Sequence, residues 1–358
     1  MKILVLNPNQ SDVKYTQINN INDFQLYGLA LAYHNIGEDV SIASWNNIDY
    51  SPINIVNLKT IKTFNDFDVI FLGNFVLNFF GGEEIPSMTK SFELLHNFDG
   101  KIVYVLSDLA MKFKQFKPKA AWNLNKNESD FRVNSIYQII NSFNLELSTK
   151  LSKADVNIKD NFIFPVQQSS IYKTIDWVEK EFPNIDDRQI DLIYGGSFRA
   201  GRREEKMFEY FFDTPYSMNL YGNIKEKQFK GDYKTPPTFL GKLPFDELSN
   251  KNKSAISTIV IGDSNYNNNF FTLRILEGLR DDLVVFIDED YDKKHILFPD
   301  WHYVKSKNDI DNKIRELKQN PDLYKEIIIN QRKMFSKYSD QHFEDECKLL
   351  LKKLFTSM

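Results

Sequence analysis

The sequence predicts an α/β protein of two similar domains, each built on a parallel sheet with helices on both faces. Short apolar runs rich in β-branched residues alternate with longer stretches of helical period, which is the pattern of such sheets. The alternation occurs in both halves of the chain, and a polar, acidic stretch at residues 173–188, which includes Pro183, separates the halves. A length of 358 residues suffices for two separate cores.

Strand and helix positions follow from these periods. In the first half the predicted strands are Lys2–Asn7, Asp39–Ala43, Asp68–Gly73 and Lys101–Ser107. The predicted helices there are Asp23–His34, Met88–His96 and Val133–Phe143. In the second half the predicted strands are Gln189–Tyr194, Ser217–Tyr221, Ala255–Ile261 and Leu283–Asp288, and the predicted helices are Arg203–Phe212 and Phe271–Asp281. The predicted division is a first domain, a hinge, a second domain and a C-terminal helical segment, at residues 1–172, 173–188, 189–340 and 341–358.

Composition limits the function without deciding it. A net charge of −4 gives no global signal for nucleic acid, so any DNA contact must depend on a local basic patch. The single cysteine, Cys347, excludes an internal disulfide, suits a reducing cytosol and is expected in the core of the last helix. No apolar run resembles a signal peptide or approaches the roughly 20 residues of a membrane span, so we expect a cytoplasmic protein that needs no membrane.

The stretch Asp191–Lys206 is the most informative part of the chain. Its apolar residues Leu192–Tyr194 predict a buried strand, and Gly195 and Gly196 let the backbone turn without a Cβ penalty. The helix predicted from Gly201 points its free N–H groups back at this turn. A strand, a glycine turn and a helix start in this order are typical of an anion site.

Two arginines of this stretch strengthen the prediction. Arg199 and Arg203 lie four residues apart and are spaced to converge on one diphosphate with bidentate geometry. The alternative is a solvated helix start in which they pair with Glu204 and Glu205, and the pattern alone leaves both open.

Five segments together resemble the DNA β-glucosyltransferases of T-even bacteriophages, nearly over the whole length and in register: Asp191–Lys206, Tyr221–Lys230, Ile261–Arg274, Leu77–Gly82 and Val105–Asp108. The resemblance implies two Rossmann-like domains that face across a cleft, the GT-B arrangement of glycosyltransferases. It implies transfer of a sugar, in that family glucose from UDP-glucose, to 5-hydroxymethylcytosine in duplex DNA. It also implies that the first domain binds the DNA acceptor, that the second binds the UDP-sugar, and that the final helix, Glu344–Phe355, packs back on the first domain.

The resemblance assigns UDP-sugar contacts to the second half. Ser197, Arg199 and Arg203 match diphosphate-contacting positions, where fixed positive charge stabilises UDP as it leaves. Glu277 matches the carboxylate that accepts both ribose hydroxyls, although its pattern alone favours an exposed helix acid. The remaining donor-site positions, several of them at strand ends where open α/β sheets bind ligands, are Gly196, Gly222, Lys242, Asp263, Tyr266 and Gln167.

Asp108 is the predicted catalytic base. It ends the apolar strand that begins at Lys101, at a carboxyl edge, where an aspartate taken alone more often caps a helix or forms a turn. It matches the family's catalytic aspartate. The resemblance implies that Asp108 takes the proton of the hydroxymethyl group while its oxygen attacks the anomeric carbon opposite UDP, an inverting displacement.

The loop Leu77–Gly82 resembles the family's DNA-probing loop. A hydroxymethyl group on a stacked base cannot enter a deep cleft, so base flipping is implied. Phe80 is placed to enter the gap left by the extruded base, with Asn78 nearby, whereas ordinary core packing is an equal alternative for Phe79.

A basic run follows Asp108. It holds four lysines and two phenylalanines without an acid, as expected for phosphate contacts, and the predicted DNA-binding lysines are Lys112, Lys114, Lys117 and Lys119. Ala110 departs from the family, which has an arginine there, so the details of DNA contact stay open.

No dedicated metal site is predicted. The acidic triplet Asp288–Asp290 resembles the manganese ligands of another glycosyltransferase class, but it ends a strand before a turn, and we interpret it as structural. The five histidines show no metal spacing, although Mg²⁺ or Mn²⁺ could assist UDP release without its own protein site.

Gln167 departs from the family at the donor sugar. It follows Phe164 and Pro165 where the family has an acidic residue, and a second acidic position near Asp23 is not cleanly reproduced. An amide donates as well as accepts hydrogen bonds, so the donor is either UDP-glucose or a pentose donor such as UDP-arabinose.

Two other functions fit the predicted fold. One is a GT-B glycosyltransferase acting on a small molecule or polysaccharide, which the Phe80 loop and the lysine run argue against. The other is an inactive nucleotide- or DNA-binding module. The presence of Asp108, Arg199, Arg203 and Glu277 argues against it. The expected partners are 5-hydroxymethylcytosine-containing duplex DNA and a UDP-sugar, and we expect a monomer.

Overall fold

The computed structural model describes residues 1–7, 26–46, 49–73, 86–106, 137–140, 160–163, 183–197, 201–229, 231–243, 245–262, 272–336 and 340–356. The chain divides into two compact units, which are Met1–Tyr172 with Asp340–Met358, and Lys173–Ser339. Both units are α/β domains with parallel sheets, as the alternating pattern predicts. None of the helices described combines the length and apolar character needed to cross a bilayer.

The first unit contains a seven-stranded sheet in the order β3-β2-β1-β4-β5-β6-β7. Its strands are β1 Lys2–Leu6, β2 Asp39–Ser44, β3 Asn54–Asn57, β4 Val69–Leu72, β5 Lys101–Leu106, β6 Tyr137–Ile140 and β7 Asp160–Ile163. All neighbouring pairs are parallel. The helices described in this unit are α1 Tyr27–Asn35, α2 Pro86–His96 and the last helix of the chain, Asp340–Thr356.

The predicted helix Val133–Phe143 is wrong, because residues 137–140 form β6. Tyr137 pairs with Val103 of β5 and with Asp160 of β7, so β6 is an interior strand. A short apolar run cannot be assigned to helix or strand by periodicity alone, and here parallel pairing on both sides decides for the strand.

The helix Asp340–Thr356 packs on α1. Phe343, Cys347 and Leu351 are buried in the same core as Leu29 and Tyr33. Burial raises the pKa of the Cys347 thiol well above its usual range, as expected for an inert core cysteine. The two ends of the first unit's chain segments therefore share one hydrophobic core.

The second unit contains a six-stranded sheet in the order β10-β9-β8-β11-β12-β13. Its strands are β8 Ile190–Ser197, β9 Met218–Asn223, β10 Thr238–Gly241, β11 Ala255–Val260, β12 Val284–Asp288 and β13 Tyr303–Val304. Its described helices are α3 Arg202–Phe211, α4 Phe245–Lys253, α5 Leu273–Arg280, α6 Lys307–Gln319 and α7 Pro321–Ser336, and the Asp340–Thr356 helix is α8. The short strands β3, β7, β10 and β13 and the helices α4, α6 and α7 were not predicted.

Arg188 anchors the amino edge of this sheet. It lies at the end of the predicted hinge, but its side chain is buried in the second unit. Its Nη1 donates to backbone carbonyls around the start of β11, at 2.6 Å to Lys253 and 2.9 Å to Ala255, and its Nη2 donates to the carbonyls of Asp281 and Asp282 before β12. Ile185, in the short 3₁₀ turn Ile185–Asp187, is also part of this unit's core. The described end of the predicted hinge therefore belongs to the second unit.

Candidate functional site

The described site residues cluster at the carboxyl edge of the second sheet. Strands β8 and β11 lie side by side, and the chain leaves them towards opposite sides of the sheet. This reversal of strand order is the topological switch point, at which open parallel sheets bind their ligands. The end of β8 supplies Gly196 and Ser197, and Ile261 follows β11.

The predicted glycine turn is wrong, because Gly195, Gly196 and Ser197 continue β8. They pair with Tyr221, Gly222 and Asn223 of β9. The glycines allow close packing within the extended strand. A Cβ on Gly195 would overlap the ring of Tyr221, and Gly222 packs its backbone against Gly196.

Only a glycine fits at position 222. Its φ of +104° is a conformation that L residues rarely adopt, and a Cβ there would overlap the carbonyl oxygen of Gly196. The glycines at the ends of β8 and β9 therefore let the two strands and the side chains of Tyr194, Tyr221 and Arg274 pack closely together.

Arg274 lies against Gly196 at the end of β8. Its guanidinium carbon is 4.5 Å from the ring centroid of Tyr194, and its Nη2 would lie 3.2 Å from a Cβ on Gly196. Its Nη1 is buried and has no hydrogen-bond partner among the residues that the structure describes. Burial raises the pKa of the Tyr221 hydroxyl well above its usual range, and a hydrogen bond with Arg274 counteracts part of that rise. The tyrosines thus hold a charged guanidinium beside Gly196 with one donor unused.

Arg274 ends the segment Ile261–Arg274 that resembles the family, but it is not among the predicted site residues. A signal for it exists, because Arg274 and Glu277 are three residues apart and therefore share a face of α5. Glu277 is half-buried, and its charge contributes to the raised pKa of Tyr221 after burial itself. The structure thus brings Glu277 and Arg274 to the same side of the β9 end.

Arg203 lies in the first turn of α3. Its Nη2 is 3.5 Å from the carbonyl oxygen of Ile261, at the end of β11. The helix begins after Gly201, whose φ is +92° and ψ −148°, and no side chain caps it. An uncapped helix start carries unsatisfied N–H groups and a partial positive charge. Arg203 and the start of α3 therefore lie at the switch point.

Lys242 lies farther from the switch point than the other described site residues. It follows β10, at the sheet edge beyond β9, and its side chain is exposed. The structure thus brings Gly196, Ser197, Gly222, Arg203 and Glu277 to the strand ends at the switch point and leaves Lys242 at the rim.

The other predicted site residues lie outside the described residues. Among the donor-site positions these are Arg199, Asp263, Tyr266 and Gln167. The catalytic base Asp108 and the nearby Ala110 are also outside, as are the predicted DNA contacts Asn78, Phe80, Lys112, Lys114, Lys117 and Lys119.

The acidic triplet is engaged within the second unit. The Tyr210 hydroxyl donates to Asp288 Oδ2 at 2.5 Å. Asp290 pairs with Arg202, and Glu289 pairs with Lys305 at 2.9 Å. In the part of the chain that the structure describes, no group of three His, Cys, Asp or Glu side chains is arranged to hold a metal ion.

His302 is a core histidine. Burial lowers its pKa to about 4, and its Nδ1 lies 2.9 Å from the carbonyl oxygen of Val285. A neutral ring that donates to a buried carbonyl stabilises the fold and has no part in the site.

The chain is similar to known DNA-modifying glucosyltransferases over nearly its whole length. It is 31% identical over 345 residues to the DNA β-glucosyltransferase of Enterobacteria phage T4, covering 94% of this chain and 95% of that protein. The crystal structure of the T4 phage enzyme with its UDP-glucose substrate superposes with a TM-score of 0.76, 29% identity and 99% coverage of both chains. The same enzyme with UDP and Mn²⁺ gives a TM-score of 0.74 at 29% identity, again with 99% coverage of both chains.

More distant structures share the fold alone. An α-glucosyltransferase in complex with UDP-glucose and DNA has a TM-score of 0.61 at 11% identity, covering 99% of both chains. No protein-family model matches the chain. Identity, coverage and fold agree, and the chain belongs to the DNA β-glucosyltransferase family.

Proposed function

We propose that this chain transfers glucose from UDP-glucose to the hydroxymethyl group of 5-hydroxymethylcytosine in duplex DNA, with inversion at the anomeric carbon. Membership of the DNA β-glucosyltransferase family supports the reaction. The observation that carries the donor half is Arg274, whose buried Nη1 lacks an acceptor among the described residues and whose guanidinium lies beside Gly196 at the end of β8. A diphosphate at this position supplies the missing acceptor.

The second unit binds the donor in this proposal. Negative charge develops on the diphosphate as the glycosidic bond to UDP breaks, and fixed cations at Arg203 and Arg274 stabilise it without reorganisation. Arg199 is a third cation of the same group, and the Ser197 hydroxyl donates to the phosphates. The Glu277 carboxylate accepts from the ribose hydroxyls, since an ionised carboxylate has two acceptor oxygens.

The first unit binds the acceptor. Asp108 acts as general base on the hydroxymethyl group, and the oxygen so activated displaces UDP from the anomeric carbon. The target base is flipped, with Phe80 filling the gap and Asn78 beside it. The lysines of the basic run contact the DNA phosphates, which makes binding salt-dependent.

A divalent ion enters the proposal only with the diphosphate. The T4 phage enzyme is known with UDP and Mn²⁺. In this chain the carboxylates of Asp288, Glu289 and Asp290 are already engaged with a tyrosine, an arginine and lysines. They do not fit an ion site, so Mg²⁺ or Mn²⁺ would be held by the phosphate oxygens.

The test compares acceptors and donors in one assay. Duplex DNA with 5-hydroxymethylcytosine and matched unmodified duplex are each incubated with UDP-glucose, and the released nucleosides are weighed by mass spectrometry. We expect a hexose mass increment on hydroxymethylcytosine alone. Equal or absent turnover on both duplexes would exclude the DNA acceptor.

A pentose donor is the second candidate, and Gln167 favours it. An amide in place of a carboxylate removes an acceptor for a sugar hydroxyl, and a pocket without that acceptor tolerates a donor that lacks the hydroxyl. The same assay with UDP-arabinose and UDP-xylose decides between the donors. Exclusive use of UDP-glucose removes the pentose candidate, and Gln167→Glu should then leave the donor preference unchanged.

Asp108→Ala separates chemistry from donor binding. We expect transfer to fall by roughly 10²- to 10⁴-fold, because general base catalysis contributes about that much, while UDP affinity stays within twofold. Calorimetric titration with UDP provides the binding measurement. Loss of UDP binding together with activity contradicts the assignment of Asp108 as a base.

We also propose that the protein acts as a monomer. Sedimentation at assay concentration, with and without UDP, tests this proposal directly.

A further inference from the structure

One face of α3 is tied to the end of β12 over three successive turns. Arg202 pairs with Asp290, and Lys206 Nζ lies 3.4 Å from Asp288 Oδ2. One turn later, the Tyr210 hydroxyl donates to the same Asp288 oxygen at 2.5 Å. Residues 202, 206 and 210 are spaced by four and therefore lie on one side of the helix. The acidic end of β12 thus contacts a single stripe of α3.

Arg203 lies about 100° further round the same helix than Arg202, since an α-helix turns once in 3.6 residues. Its guanidinium reaches the Ile261 carbonyl at the end of β11, in the site described above. Rotation of α3 about its axis would move Arg203 and the backbone N–H groups of the first turn together. Contacts along the neighbouring stripe oppose that rotation.

The first turn depends most on the Arg202–Asp290 pair. Gly201 precedes it with φ +92° and ψ −148°, and no side chain caps the helix. Lys206 and Tyr210 hold the second and third turns, where Asp288 is buried. The backbone N–H of Asp290 also donates to Asp288 Oδ1 at 3.1 Å, which ties the Asp290 backbone to the buried end of β12.

We propose that Asp290 is a positioning residue for donor binding, which acts by holding Arg202 and so setting the first turn of α3, with Arg203, against the diphosphate. This inference rests on the proposed function, because it assumes that Arg203 contacts the diphosphate. It assigns to the acidic triplet a role in UDP affinity that requires no metal ion.

The sign of one substitution separates this role from simple electrostatics. Asp290→Asn removes a negative charge from the neighbourhood of an anion site, and the relief of Coulomb repulsion alone would strengthen UDP binding. If Asp290 positions the helix, the same change weakens binding because the first turn is released. We expect UDP affinity, measured by calorimetry, to fall by roughly three- to tenfold. Unchanged or tighter binding overturns the proposal.

The kinetic expectation is equally specific. In Asp290→Asn, KM for UDP-glucose rises by the same roughly three- to tenfold factor while kcat at saturating donor stays within about twofold, since ground-state and transition-state contacts weaken together. Asp290→Glu, which keeps the charge, should retain most of the affinity. An equal loss in Asp290→Glu and Asp290→Asn contradicts a role through Arg202.

A charge-swapped pair gives an independent test. Arg202→Glu alone is expected to weaken UDP binding, and Arg202→Glu combined with Asp290→Arg is expected to restore affinity to within about threefold of the wild type. Affinity that stays at the Arg202→Glu level overturns the proposal. Thermal melts accompany each variant, and we expect the Arg202 variants to fold because the Arg202 side chain is 49% exposed.

Asp311→Asn is the matched control. Asp311 forms an exposed i, i+4 ion pair with Arg315 on α6, in the same unit. Its removal changes the net charge by the same amount, and UDP affinity should not change. If the wild-type protein itself fails to bind UDP, the proposed donor site is wrong, a result distinct from any loss caused by Asp290→Asn.

Discussion

The two edges of the second sheet use buried arginines in different ways. At the amino edge, Arg188 donates from both terminal nitrogens to the carbonyls of residues 252, 253, 255, 281 and 282. At the carboxyl edge, Arg274 stacks on Tyr194 and keeps a buried Nη1 without an acceptor. Both terminal nitrogens of Arg188 donate to backbone carbonyls, whereas one terminal nitrogen of Arg274 has no acceptor in the part of the chain that the structure describes.

Burial alone does not distinguish the two roles. Arg188 also keeps its Nε buried without an acceptor, so a single unused donor is not diagnostic. The neighbours distinguish them, because Arg188 is enclosed by carbonyl oxygens whereas Arg274 lies between the Tyr194 ring and Gly196, at the end of β8. The two arginines therefore differ in which nitrogen is unused and in which end of the sheet they occupy.

The largest expected effect concerns stability at the amino edge. Arg188→Ala leaves several buried carbonyls without donors, each costing about 1–3 kcal/mol, so the free energy of unfolding should fall by about 3–5 kcal/mol. Urea unfolding at neutral pH measures this loss. UDP affinity of the folded fraction should be unchanged, and a selective loss of UDP binding with normal stability would reverse the assignment of the two edges.

Arg274→Ala should show the opposite pattern. Loss of a charge-assisted contact with the diphosphate weakens UDP binding by about 1.5–3 kcal/mol, roughly 10- to 100-fold. Stability should fall less than in Arg188→Ala, because the described contacts that Arg274 loses are one hydrogen bond with Tyr221 and the stacking on Tyr194. Calorimetry with UDP and a parallel thermal melt decide the matter, and a destabilised variant with normal UDP affinity would place Arg274 among the structural arginines.

His302 extends the comparison to pH. Its folded-state pKa of about 4 lies below the ordinary value of 6.5, so the unfolded state binds more protons between these values. The free energy of unfolding that depends on the neutral His302 ring is fully present above pH 6.5 and is lost as the pH falls towards 4. The loss amounts to about 2 kcal/mol at pH 4.5. Unfolding of the wild type and His302→Gln at pH 7 and 4.5 should show a smaller pH-dependent loss in the variant. Equal losses in both proteins would remove His302 as the cause.

The smallest effect is expected at the rim. Lys242 is exposed beyond β9, where solvent and salt screen its charge. Lys242→Ala should weaken UDP binding by no more than roughly threefold, and added salt should abolish the difference. A loss as large as that of Arg274→Ala would show that Lys242 contacts the diphosphate directly.

Local pattern was sufficient for most of the architecture. Strands such as β1, β2, β4 and β5 were predicted within a few residues, because a strand buried on both faces is a continuous apolar run. The family followed from short motifs, one of which places glycine and arginine after a strand, and the site positions that these motifs assign stay predictions.

The sequence by itself determined the two α/β domains, the strand leading into the site, and the positions of Arg203 and Glu277. Only the tertiary structure decided that Gly195–Ser197 extend β8, that β6 is a strand, and that Arg274 and the Arg202–Asp290 pair belong to the site region. The reason is that periodicity and turn chemistry act over a few neighbouring residues. Strand pairing, a ring laid over a glycine and an ion pair between residues 202 and 290 depend on contacts between segments far apart in the chain.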